Sequence, residues 1–162
     1  MAEERTLMQR LRDLYEEQHL AVLATVGEEN QPYTSLMAFT IDEELQTLFF
    51  ATYADTRKYR NLQHEADVAL LVDNRQEQEG EFENALAVTI EGQVYAVKEA
   101  ALHSVRELMT LRHPQMESFL NDSETRFFFV KIRRHIAVTG LGGVEVLEIQ
   151  GDAPTEREDR RK

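Results

Sequence analysis

The chain has 162 residues, 42% of them hydrophobic, with 18 Lys and Arg against 30 Asp and Glu, a net charge of −12 and no cysteine. That length holds one domain with a sizeable core. The acidity excludes a general nucleic-acid or anionic-membrane surface, and the missing thiols exclude disulfides, thiolate metal sites and cysteine nucleophiles. No apolar run reaches the roughly 20 residues of a membrane span or forms a secretory h-region, so a cytoplasmic protein is expected.

Leu7, Leu11, Leu14 and Tyr15 recur at helical spacing and predict an amphipathic first helix. Leu20 to Val26 (LAVLATV) reads as a strand, Gly27 to Gln31 as a turn, and YTSLMAFTID from Tyr33 as a second strand. On that strand Thr34, Leu36, Ala38 and Thr40 share one face and Tyr33, Ser35, Met37, Phe39 and Ile41 the other. Neither face is strongly polar, so both are expected to be covered, as in a small barrel with helices outside it. Thr47 to Thr52 and Val68 to Val72 give two further strands, flanking a helix that starts near Asp55.

The run from Asn74 to Asn84 reads as a solvated loop, its four glutamates a poor calcium set. Ala85 to Val97 predicts a long strand with a bulge or bend at Gly92. Glu99 to Leu111 predicts a helix with Leu102, Val105, Leu108 and Met109 on its apolar stripe. His113-Pro114 interrupts it, and a short helix follows from Gln115 to Leu120. Phe127 to Arg133 and Ile136 to Thr139 are strand-like, the three phenylalanines serving core and interface packing, and Val144, Val146 and Ile149 suggest a last short strand or docking tail.

Residues 151–162, with no large apolar side chain, predict a disordered polar tail after a domain spanning 1–150. The first strands are joined too tightly for parallel crossovers, which makes the expected class mainly β with peripheral helices (α+β), an antiparallel closed or split β-barrel.

The most informative stretch is TLFFATYADTRKYRNL, Thr47 to Leu62. The strand period gives way to a helical one at Tyr53 to Thr56, and Arg57, Lys58 and Arg60 follow within or just after the first helical turn. Cations there oppose the helix dipole, at about 0.3–1 kcal/mol each when exposed. A bound anion reverses that sign: orphan N–H groups, a hydroxyl from Thr52 or Thr56 and the basic side chains together make a phosphate site. The alternative is a surface helix whose basic side chains pair with Asp55, Glu65 and Asp67.

The block from Pro32 to Asp73 carries P-x-x-S, an apolar strand, an acidic turn, T-L-x-F-x-T, then T-R-K-x-x-N-L and a short apolar strand, in that order. In this the chain resembles the FMN-binding split-barrel family related to pyridoxamine 5′-phosphate oxidase, over about Leu20 to Val97. The resemblance implies a six-stranded antiparallel split barrel that forms a homodimer with FMN in the cleft between subunits. It implies that Ser35, Leu36 and Met37 lie beside the flavin ring and ribityl chain, that Ala51 and Thr52 end the third strand near the phosphate, and that Arg57 and Lys58 hold the phosphate. The vitamin B6 enzyme itself carries arginine where Ser35 stands and lysine near Thr40, and uses a C-terminal tryptophan. This chain has none of these, so that specific reaction is not expected.

The expected function is flavin-centred oxidoreduction of an unidentified small molecule, in which the cofactor carries the electrons. A non-catalytic flavin binder or sensor has the same sequence. A third reading is haem binding or degradation, from the glycine-rich VTGLGGVEVL, Val138 to Leu147, with His135 as a possible axial ligand. Neither His64, His103 and His113 nor any other set has metal-ligand spacing, and no nucleic-acid or membrane partner is expected.

Overall fold

The computed structural model describes residues 5–75 and 82–151. The expected tail beyond Gly151 and the loop glutamates Glu77, Glu79 and Glu81 lie outside those residues. Helix α1 spans Leu7–Glu17 and opens on Thr6, whose hydroxyl accepts from Gln9 N while the Gln9 side chain accepts from Thr6 N, a reciprocal cap. It buries Leu11, Leu14 and Tyr15, the stripe read from the sequence. Strands β1 (Leu20–Val26), β2 (Pro32–Ala38), β3 (Thr40–Ile41) and β4 (Thr47–Tyr53) follow, then α2 (Arg57–His64), β5 (Asp67–Asp73), β6 (Leu86–Ala96), α3 (Glu99–Arg112), α4 (Glu117–Leu120), β7 (Thr125–Thr139) and β8 (Gly143–Glu148).

The strands form one antiparallel sheet in the order β2-β1-β5-β6-β7-β4-β3, with β8 added on β7. Eight strand segments therefore replace the expected six, for a simple reason. Phe39, 1% exposed, drops into the core and interrupts one continuous run, so that β2 pairs with β1 while β3, immediately beyond it, pairs with β4. Taken as one bent strand, β2 and β3 connect both ends of the strand order and close a ring of six staves, which is the split barrel; β8 is an extra rib outside it.

Inside the ring Leu23, Leu48, Phe50, Leu70, Val88, Ile90 and Val130 form the main core with α1. A smaller cluster of Ala51, Val105, Met109, Leu120 and Phe127 lies between the outer face of β4 and β7 and helices α3 and α4. Leu108, placed on the apolar stripe of α3 by its spacing, is instead 40% exposed, because that helix buries only the Val105–Met109 edge. The β6–β7 ladder changes register between Glu91 and Gly92: Glu91 faces Arg134, Gly92 faces Ile132, and Arg133 is the extra residue. The irregularity thus falls at Gly92, as expected, although the inserted residue sits on β7.

The outer face of the sheet departs from expectation. Paired residues share a face, and the registers align Leu36, Val22, Leu71, Thr89, Ile136 and Val146 in one row across six strands, β2 to β8. At ~4.8 Å per strand the row is roughly 24 Å long. None of its members is buried, and Leu36 and Val146 are 62% and 48% exposed. The second strand therefore has one uncovered side, contrary to the reading that helices sheath both. Glu91, Arg134 and Glu148 form an ion-paired row along one border, with Arg134 Nε 3.4 Å from Glu91 and 3.7 Å from Glu148.

Candidate functional site

Helix α2 starts where β4 ends, and Thr56 is its cap: Oγ1 accepts from Tyr59 N at 3.2 Å and donates to the Tyr53 carbonyl at 3.0 Å. The Thr52 hydroxyl lies 3.0 Å from that of Thr56 and 3.4 Å from the Tyr53 carbonyl, so either member of the pair can be the donor. The backbone N–H groups of Arg57 and Lys58 have no acceptor among the described residues. A hydroxyl pair and two orphan donors thus converge at the first turn.

The alternative, in which the basic side chains pair with Asp55, Glu65 and Asp67, is not found among the described residues. Arg60 donates to the Asp55 backbone carbonyl at 3.0 Å, Glu65 accepts from Asp67 N, and Asp67 lies 3.7 Å from Arg133. Among the described residues neither Arg57 nor Lys58 is in an ion pair. Lys58 is half-buried, and loss of solvent lowers the pKa of its ammonium. An under-hydrated cation beside free donors is the electrostatic arrangement that an anion completes.

Six of the residues singled out from the sequence, Leu36, Met37, Ala51, Thr52, Thr56 and Lys58, line one open cavity of about 340 Å³. The other two do not. Ser35 stands opposite the core residue Leu23 and shares its face, so its hydroxyl turns into the barrel, buried and without a partner among the described residues. Arg57 lies with its guanidinium 4.4 Å from the Tyr33 ring centroid, in a cation–π contact outside the cavity lining.

Sequence reasoning missed Leu20, Ala38 and Tyr53, and the far wall made by Met116 and Phe119. Tyr53 and Phe119 meet edge to face at 4.8 Å, which anchors that wall to the end of β4. Spacing held no sign of it, because α4 lies more than sixty residues from β4 in the chain. The cavity is apolar except at the Lys58 end, a shape suited to a flat ring with an anionic tail.

FMN fits this donor set: hydroxyls, helix N–H groups and Lys58 suit a phosphate, and the apolar remainder suits an isoalloxazine. His135 does not fit a haem. It is fully buried, its Nδ1 accepts from the Tyr15 hydroxyl at 2.7 Å and its Nε2 donates to the Leu45 carbonyl at 2.8 Å. Both ring nitrogens are occupied, which removes it as an axial ligand.

His135 and His113 are buried neutral, their pKa values lowered first by burial, and His113 Nε2 donates to the Phe39 carbonyl at 2.7 Å. The sign follows directly. As pH falls below the ordinary histidine value of 6.5 the unfolded chain takes up protons that the folded chain refuses, so stability declines from there down to the folded pKa values. Each histidine contributes a slope of about 1.4 kcal/mol per pH unit. Urea unfolding at pH 7.5 and 5.5 should therefore differ by roughly 1–3 kcal/mol, and equal midpoints would contradict the neutral assignment.

No curated protein matches the chain. Solved structures share its fold. The heme binding protein from Mycobacterium smegmatis superposes with a TM-score of 0.79 at 14% identity, over 91% of this chain and 60% of that one, so this chain spans less than two thirds of it. The heme storage protein HutZ from Vibrio cholerae gives 0.67 at 19% identity over 88% and 95% of the two chains. General Stress Protein 26 from Bacillus anthracis gives 0.67 at 14% identity over 88% and 98%. Among the described residues no helix is long and apolar enough to cross a membrane. The family model for pyridoxamine 5′-phosphate oxidase matches residues 7–135, most of the chain and every residue that lines the cavity, and on that match the protein belongs to the pyridoxamine 5′-phosphate oxidase family.

Proposed function

We propose that this protein is an FMN-binding flavoprotein that forms a homodimer and acts as an oxidoreductase on a small molecule. The observation that carries the reading is Lys58, half-buried and without an acidic partner among the described residues, beside the Thr52–Thr56 hydroxyl pair and the free N–H groups of α2. FMN supplies reversible electron and hydride transfer when bound. The chain's own part is to hold the phosphate at Lys58 and Thr56, to present Leu36, Met37 and Ala51 to the ring, and to keep water from it. The purified protein should be yellow, and a colourless protein that takes up no added FMN would refute the reading.

Homodimerisation is supported by the uncovered row from Leu36 to Val146. One end of that row, Leu36, is also a wall of the cavity, so a second copy laid on this face covers the open side of the site. Apolar faces of this extent suit an obligate interface. Leu71→Glu, at the middle of the row, should raise the dimer dissociation constant by roughly a hundredfold, since it buries an unpaired charge. Light scattering that finds the variant as dimeric as the wild type would place the interface elsewhere.

Haem binding is a second reading, favoured by neighbours named as heme binding and heme storage proteins. Any axial ligand here must be a residue other than His135. A Soret band that develops with hemin and persists in His135→Gln would support it.

A further inference from the structure

We infer that Asn61 is a positioning residue for the anion corner: its buried side-chain amide sets where the first turn of α2 presents Arg57 and Lys58. The role rests on the flavin reading and deepens it, since Asn61 acts on phosphate affinity through those two cations and does not line the cavity itself.

Helix α2 has eight residues and buries only Asn61 and Leu62. So short a helix has little stability of its own, and its place is set by what holds it to the sheet. Leu62 and the half-buried Tyr59 pack on the main core, an attachment that fixes depth but has no direction. Asn61 supplies the direction. Its side chain is 6% exposed, and its Nδ2 donates to the Oγ1 of Thr25, itself 1% exposed, at 3.0 Å. Leaving either partner of a buried hydrogen bond unmatched costs more than the bond contributes, so this pair holds the helix in one rotation.

Both cations follow from that rotation. Arg57 and Lys58 precede Asn61 by four and three residues, the spacing of side chains that neighbour one another on a helix surface. Thr25 faces Tyr33 across the β1–β2 ladder, and the Tyr33 ring is the one on which the Arg57 guanidinium rests. Amide, hydroxyl and ring thus tie the cationic turn to β1 and β2, the strands that bring Leu20, Leu36, Met37 and Ala38 to the cavity.

Gly27, directly after β1, shows how closely the amide is confined. A Cβ at that position would lie 2.9 Å from Asn61 Oδ1. Its φ of −88° and ψ of −174° are extended backbone open to any residue, so what the glycine provides is room for the amide.

The test measures the FMN and riboflavin affinities of the full chain by fluorescence quenching, for the wild type, Asn61→Ala, Gly27→Ala and the double variant. Asn61→Ala should weaken FMN by roughly tenfold and riboflavin by less than about twofold, because the tether governs the turn that meets the phosphate. Gly27→Ala, whose added methyl meets Asn61 before any other residue, should weaken FMN by about threefold with the same selectivity. With Asn61 already alanine that methyl has nothing to displace, so the double variant should match Asn61→Ala instead of multiplying the two losses. Should Asn61→Ala fail to fold, Gly27→Ala carries the readout alone. Equal losses for the two flavins in a folded variant would make Asn61 part of the fold only and overturn the inference. Wild-type affinities, or losses that multiply in the double variant, would overturn it too. Lys58→Ala separates the two failures: if it alone loses FMN selectively, only the positioning role falls, and if the wild type holds FMN no tighter than riboflavin, the phosphate assignment falls with it.

Discussion

Lys58→Ala should weaken FMN by roughly a hundredfold and riboflavin by less than about threefold. The two ligands differ only in the phosphate, so the difference isolates the contact made by the first turn of α2. Lys58 is half-buried and its ammonium is poorly solvated, which makes a charge-assisted bond to phosphate stronger than on an open surface. Arg57→Ala should cost less, because that guanidinium rests on Tyr33 and must leave it to reach the ligand. The double variant should again lose FMN selectively. Fluorescence-quenching titrations with both flavins read this directly, and equal losses for the two would remove the phosphate from this corner of the molecule.

Gly92→Ala should destabilise the fold by about 3 kcal/mol or more, a large effect for one methyl group. A Cβ at that position would lie 2.4 Å from the Lys131 carbonyl oxygen and 2.7 Å from Val130 Cγ1. The carbonyl belongs to the ladder and cannot swing aside as a side chain tip could. β7 would have to retreat from β6 at the register change, where Gly92 already faces Ile132. Gly143→Ala is the control, since nothing lies within 4 Å of the added atom, and it should change stability by less than about 0.5 kcal/mol. Denaturant midpoints of the two variants within error of each other would show that the ladder yields more easily than its geometry allows.

Local signals were legible and long-range ones were not. The strand period of LAVLATV and the change of period after Thr52 depend on neighbours in the chain, and β1 and the cap of α2 fall where the residues place them. The break at Phe39 has no local mark: alternation runs through it, and only the choice of partner, β1 before and β4 after, divides the strand. The same holds for the outer row, whose six members come from six strands and are aligned only by register. At the site, the start of α2 at Thr56 was legible locally, whereas the contact of Arg57 with an aromatic ring on β2 was not. His135 was misplaced beside the glycines that follow it, when its governing neighbour is Tyr15, 120 residues earlier.

The seam of the ring has a mechanical meaning. β3 and β4 are joined by two facing pairs, whereas β1 and β2 share seven and β6 and β7 eleven. Transient opening concentrates where fewest rungs must part, so this clasp is the natural place for the hoop to breathe. The seam between β1 and β5 comes next, with three. Ala38, which lines the cavity beside Lys58, stands two residues before Thr40 in the clasp, so slackening there reaches the wall of the site directly.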